Sequence, residues 1–361
     1  MALVPFLVSR VLVWVGTEFG ARYFARAAVS HTGGLRPSSI LDPFFRWDFD
    51  NYAAIARYGY AAVSADVHPP SYRVAFFPLY PLLVRLAGGS DWAMLLIPNV
   101  SFLAALALLY VIASRHLDSN RARLSLWLVA LGPAAMFFAY PYTESLFLLL
   151  SIGAFVLMET GQWLLAGVVG LMLAMTRAPG VLISAALGAE FVLGNRRWTV
   201  AAATAMPLIG LAAVSAVDWT QMGDPLGFVH AQAHWVGGER NPLYVLGAFP
   251  KAVLEGDPFR PEAIGVPILV GFAVAAGWVL LRMPAAYGAF AIAQLIVAAR
   301  QGWYLHYFIS VPRYVAVVFP CYFAFATLLA TRRNLRYSWL LVSASVMVLD
   351  SALYGAWRFI G

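Results

Sequence analysis

The stretch "AMLLIPNVSFLAALALLYVIAS", residues 93–114, carries no charged side chain from end to end. As a helix it would rise about 1.5 Å per residue and reach roughly 33 Å, enough to cross the hydrocarbon core of a bilayer. Runs of the same kind lie on both sides of it, at residues 3–25, 124–140, 144–160, 162–176, 180–194, 198–217, 263–281, 284–299, 312–330 and 337–357. With 62% hydrophobic and 11% charged residues, and a mean hydropathy of +0.76, the chain holds more apolar side chain than a soluble globule buries. The expected fold is an all-α polytopic integral membrane protein, a single transmembrane domain over residues 1–361 with about eleven spanning helices. Arg10 and Glu18 interrupt the first apolar run, so a cleaved signal peptide is not expected.

Charge gives the expected orientation. With the N-terminus in the cytoplasm, the inner loops hold Arg115, Arg121, Arg123, Arg196, Arg197, Arg282, Arg332, Arg333 and Arg336 against Asp118, Glu159 and Glu190, which follows the positive-inside bias. A pI near 9.6 therefore reflects topology, and no nucleic-acid partner is expected. The opposite loops mix arginines with a dozen acids, among them Asp48, Asp50, Asp91, Glu144, Asp218 and Asp224, more than anchoring requires. Cys321 is alone and cannot form an intramolecular disulfide. No zinc spacing, Walker loop or dinucleotide glycine motif is present, which leaves ATP-driven and nicotinamide chemistry without support and no cofactor expected.

Two outer loops are long, residues 30–92 and 218–262, and both are rich in Trp, Tyr, Phe, Pro and Gly, a composition of ordered structure packed on the membrane face. Within the first, Tyr52, Ile55, Ala56 and Gly59 follow Asp48 at helical spacing, which predicts an amphipathic interfacial helix. Asp48 then stands at its N-terminus, where it either caps the helix or acts as a general base at the water–lipid boundary. Asp50, two residues on, faces another way and reads as solvated; Arg46, Arg57 and Arg73 read equally as snorkelling residues. Glu144 opens a span in "YPYTES", Arg177 sits between two spans in "MTRAPG", and His306 and Arg313 mark another outer boundary. Ionisable groups at membrane depth on one face point to a polar pocket, and arginine in such a pocket suits phosphate.

In order along the chain stand "RWDFDNYAAIARYGY", "AFFPLYPLL", "PAAMFFAYPYTESLFLLLS", "TRAPGVL", "GDPLGFVHAQAHW" and "SVPRYVAVVFP". Together, over roughly residues 43–320, they closely resemble the bacterial relatives of the glycosylphosphatidylinositol mannosyltransferase II (PIG-V-type) family, within the GT-C superfamily. The resemblance implies a transferase that moves a hexose, mannose in the eukaryotic members, from a polyprenyl-phosphate carrier to a lipid or glycan hydroxyl. It also implies that the essential aspartate of the first external loop is Asp48. The eukaryotic acceptor does not carry over. One lysine among 24 basic residues fits a GC-rich bacterial genome, hence a multi-pass protein of a bacterial plasma membrane with its site on the non-cytoplasmic side.

A sugar on polyprenyl phosphate is already activated, so the enzyme must take a proton from the acceptor and neutralise the departing phosphate. Asp48 is the expected base; Arg313 and Arg177, then Arg73 and His306, are the expected phosphate ligands; Arg46, Asp50, Tyr52, Tyr60, Glu144, Gln232 and Trp235 are expected at the sugar and acceptor sites. No paired carboxylates argue for a covalent sugar intermediate, and no metal is expected. The alternative is a transporter or flippase of a lipid-linked sugar, with the same arginines gripping phosphate during passage. Transporters place polar groups at mid-span, whereas these lie at span ends.

Overall fold

The computed structural model describes residues 1–24, 41–61, 70–232, 261–304 and 310–358. Residues 30–40, 62–69 and 233–260 of the two expected outer loops, with the candidates Trp235 and His306, lie outside the described residues. All regular structure among those described is helical. In chain order it runs α1 (Leu3–Tyr23), α2 (Asp48–Tyr58), α3 (Pro70–Arg73), α4 (Leu79–Leu86), α5 (Asp91–His116), α6 (Ser119–Ala130), α7 (Glu144–Glu159), α8 (Trp163–Ala174), α9 (Ile183–Val192), α10 (Trp198–Met222), α11 (Gly227–Gln232), α12 (Pro261–Arg282), α13 (Ala285–Tyr304), α14 (Val311–Ala316), α15 (Phe319–Ala330) and α16 (Arg333–Gly355).

Among the described residues five helices, α1, α5, α10, α12 and α16, are long and apolar enough to cross a membrane. They expose Leu7, Val11 and Val15 on α1 and Leu341, Val342 and Leu349 on α16, side chains that call for a hydrocarbon solvent. Between lipid-exposed helices the hydrophobic effect is weak, so association relies on close van der Waals contact between small residues. Gly16 and Gly20 of α1 meet Val348, Ser351 and Ala352 of α16 so closely that a Cβ on Gly20 would lie 1.7 Å from the Ala352 carbonyl oxygen. Gly167, Gly170 and Gly210 join α8 to α10 in the same way.

Several expected spans are broken. The run expected at 124–140 is α6 followed by a 3-10 segment, Pro133–Phe138; that at 180–194 is a 3-10 segment, Ala178–Leu182, leading into α9; that at 312–330 is α14 and α15. Proline explains the first two breaks: Pro133 follows Gly132, and Pro179 opens the second segment. A broken helix at membrane depth frees carbonyls that water cannot reach, so other side chains must satisfy them. Arg10 of α1 donates to the Ala135 carbonyl at 3.4 Å, Asn99 of α5 to Ala139 at 3.0 Å and Ser145 to Phe138 at 2.9 Å. Gln294 of α13 donates to Pro179 at 3.0 Å, and Tyr322 to Ala316 at 3.2 Å. The breaks are thereby fixed.

Helix α2 follows the expected spacing but is buried through all of Asn51–Ala56, not along one stripe. It packs on α4, and Tyr52 stands edge-on to the rings of Phe76 and Tyr80, each at 5.0 Å.

The α1–α16 contact sets an expected outcome. Gly20→Ala forces the two backbones apart and lowers thermal stability by about 1–3 kcal/mol. Gly271→Ala on α12, where an added Cβ meets nothing within 4 Å, leaves it unchanged. Paired melting curves of the two purified variants check this.

Candidate functional site

Four of the expected site residues meet in one ion network. Arg313 Nη1 lies 2.9 Å from Asp48 Oδ2, while Arg313 Nε donates to Glu144 Oε1. The same Glu144 oxygen accepts from Arg177 Nη1 at 2.8 Å. Two arginines thus face two carboxylates, and the cluster is neutral. Burial grades across it: the side chain of Glu144 is 0% exposed, those of Arg177 and Arg313 13%, and that of Asp48 25%. Glu144 Oε2 has no hydrogen-bond partner among the described residues.

Each member is aimed by a helix break or helix start. Glu144 is the first residue of α7, where the helix dipole favours a carboxylate. Arg177 is extended, with φ −170° and ψ 154°, between α8 and the segment that follows. Arg313 lies in the short α14, ahead of the break to α15. The guanidinium of Arg177 lies 4.8 Å from the ring centre of Tyr314, and that of Arg313 lies 4.7 Å from Tyr142, contacts that orient the cations.

Asp48 opens α2, directly after Trp47, whose φ of +57° is a costly conformation for a residue with a bulky Cβ. The surroundings hold that turn in place. The Arg46 carbonyl accepts from Tyr142 at 3.2 Å and from Tyr354 at 3.1 Å, and Tyr354 stacks on Tyr140 with 3.8 Å between ring centres. The Arg46 guanidinium, 5% exposed, donates to the carbonyls of Asp42 and Phe45 and stacks over Trp357 at 4.4 Å. Arg46, expected at the substrate, thus braces the turn that presents Asp48.

The other candidates divide. Tyr52 is buried beneath the network beside Thr143; burial first, then the charges of Asp48 and Glu144, push its phenol proton affinity upward, so it stays a neutral donor. Tyr60 is buried and donates to the Phe76 carbonyl at 2.6 Å, and Arg73 is fully buried with Nη1 3.4 Å from the Tyr60 carbonyl oxygen. Both are engaged beyond the end of α2, with each other and with the turn that follows α3. Asp50 is half-buried in the first turn of α2. Gln232 ends α11, its side chain outside the described residues. Arg57, read as a snorkelling residue, pairs with Asp91 at the surface. No group of three His, Cys, Asp or Glu that could hold a metal ion occurs among the described residues. Reading the sequence missed Tyr142 and Tyr354, which grip the Asp48 turn, and Arg10 and Asn99, which fix the segment leading to Glu144.

No protein-family model matches the chain, and no curated protein matches its sequence. Solved structures do match in fold. The apo oligosaccharyltransferase of Archaeoglobus fulgidus aligns with a TM-score of 0.50 at 12% identity, over 100% of this chain and 56% of that one. The chain shares the fold of that archaeal protein. The same archaeal protein with a tethered acceptor peptide gives 0.46 at 13% identity, over 99% and 55% of the two chains. ArnT of Cupriavidus metallidurans bound to undecaprenyl phosphate gives 0.47 at 17%, over 95% and 63%. The chain spans a little over half the length of the archaeal proteins that it matches.

The ion network makes a stability prediction. Glu144→Gln leaves two buried arginines without their shared counter-ion and destabilises the protein by about 3 kcal/mol. Arg57→Gln breaks an ion pair whose side chains are 36% and 51% exposed and changes stability by less than about 1 kcal/mol. Thermal unfolding in one lipid mixture compares them.

Proposed function

We propose that the chain is a membrane glycosyltransferase that moves a hexose from a polyprenyl-phosphate carrier to a hydroxyl of a lipid or glycan acceptor. The motif resemblance points to mannose as the sugar. The basic loops point to the non-cytoplasmic face of a bacterial plasma membrane. One observation carries the reading: Arg313 sits between an accessible carboxylate, Asp48, and a buried one, Glu144, with a second arginine on Glu144.

The reaction follows from where charge moves. Asp48 accepts the proton of the acceptor hydroxyl as its oxygen attacks the anomeric carbon. The bond from that carbon to the phosphate oxygen breaks, and its electron pair leaves with polyprenyl phosphate. The negative charge lost at Asp48 reappears on the leaving phosphate, so the total is unchanged through the step. Arg313 exchanges one partner for the other as the charge passes, and Arg177 adds a second cation near the phosphate. Fixed cations at the site of developing charge are worth about 3 kcal/mol each in the transition state. A single displacement inverts the anomeric centre.

Reconstitution with radiolabelled polyprenyl-phosphate mannose and a crude lipid extract tests this. The expected product is a labelled glycolipid, with kcat lowered about a hundred- to ten-thousand-fold in Asp48→Asn. An undiminished rate in that variant removes Asp48 as the base. Label that crosses the bilayer with no covalent product establishes a transporter instead.

A further inference from the structure

The end of α7 opposite Glu144, roughly 22 Å along its axis, carries a second polar region that the proposed reaction does not use. There the turn after α7 and the turn before α10 border an open cavity of about 570 Å³, lined among others by Glu159, Trp163, Gly194, Asn195, Arg196 and Arg197. Glu159 is already engaged: Arg115 Nη1 lies at 2.9 Å, His116 Nε2 at 2.5 Å, and the Tyr287 hydroxyl donates to it. Glu190, on the last turn of α9, forms no ion pair among the described residues, and neither do Arg196 and Arg197, both exposed. Two guanidinium groups therefore border a concave surface with their hydrogen-bond donors unused.

Hydrocarbon adjoins this basic rim. Leu165 is 53% exposed, Val192 68% and Leu193 71%, and Trp198 beside Arg197 is 72% exposed, as aromatic side chains are at a bilayer–water boundary. A ligand in the cavity would meet two cations, an amide and the already paired Glu159, and the exposed aliphatic side chains of Leu165 and Leu193 stand one or two residues along the chain from its lining at Trp163 and Gly194. That is the pattern of an amphiphile, not of a free anion. We propose that this cavity binds the phosphate of a lipid headgroup, with Arg196, Arg197 and Asn195 on the phosphate and the acyl chains along Leu165 and Leu193. It lies on the membrane face opposite the Asp48 network, the face that the basic loops assign to the cytoplasm, and it does not depend on the transferase reading. Positive-inside loops alone require basic residues but no cavity, and that difference makes the site testable.

The test uses the full chain in phosphatidylcholine nanodiscs containing a minority of phosphatidylglycerol, with retained lipid read by native mass spectrometry. The wild type is expected to retain phosphatidylglycerol selectively. The double variant Arg196→Gln, Arg197→Gln is expected to lose roughly 25-fold in selectivity, each arginine near an anionic headgroup being worth about a factor of five. The matching pair Arg332→Gln, Arg333→Gln removes two cations from another loop at the same end and should leave selectivity unchanged. Equal losses in the two double variants, or none in the first, would reduce the site to general surface charge and overturn the proposal. Binding of inorganic phosphate with no preference among lipids would overturn the lipid assignment.

Discussion

A carboxylate with no access to water, Glu144, is held by arginines that stand 33 and 169 residues further along the chain. An isolated ion at that depth would cost several kcal/mol, so the surrounding segments are tied to whatever geometry keeps all three groups in contact. This makes Glu144 the junction of α7, the turn before α9, and α14. Asp48 joins last, from a helix outside the long spans, through the face of Arg313 that Glu144 leaves open. Placement of the more accessible acid is therefore set by the buried one.

Helix breaks make such a junction attainable. An unbroken span would carry its polar groups around the helix at 3.6-residue spacing, and few could reach a common point. By stopping at Pro133, before Pro179 and between α14 and α15, the chain turns backbone and side chains toward one end of the bundle. The freed carbonyls then need donors from neighbouring helices, which explains polar residues at otherwise apolar positions: Arg10, Asn99, Gln294 and Tyr322 each donate to a carbonyl in or beside a break.

Much of this was legible. Apolar runs of bilayer length foretold the helical membrane fold, and polar groups at one set of span ends foretold a cluster; Asp48, Arg177 and Arg313 do converge. The division of labour within it was not readable. Glu144 holds two cations through one oxygen, a contact that sequence spacing does not reveal, because spacing shows which end of a helix a residue occupies but not which distant arginines meet it. Arg46 donates to carbonyls just ahead of Asp48, while Tyr60 and Arg73 are buried against each other and the turn after α3, contacts that spacing alone does not show. Arg10 registered only as an interruption of an apolar run; its partner, a carbonyl 125 residues away, exists only once the helix between them has broken. The breaks themselves were signalled by Gly132-Pro133 and Ala178-Pro179, whose disfavour for continuous helix outweighs the hydropathy that suggested single spans.

In the proposed reaction, the unequal exposure of the two acids supports different roles for them. Both contact Arg313, and both begin helices, so neither the dipole nor the partner separates them. Access does. Glu144 is sealed and shares one oxygen between two guanidinium groups, so a proton arriving there would remove the charge on which both contacts depend. Asp48 is a quarter exposed and loses a single contact on protonation, which releases Arg313 just as the leaving phosphate acquires charge. A rigid clamp on the inner side and a releasable one on the outer side let the same arginine stay fixed in position while changing its partner. The strained Trp47 turn fits this requirement: Tyr142 and Tyr354 hold the backbone ahead of Asp48, as the proposed exchange of proton and partner at a fixed carboxylate requires.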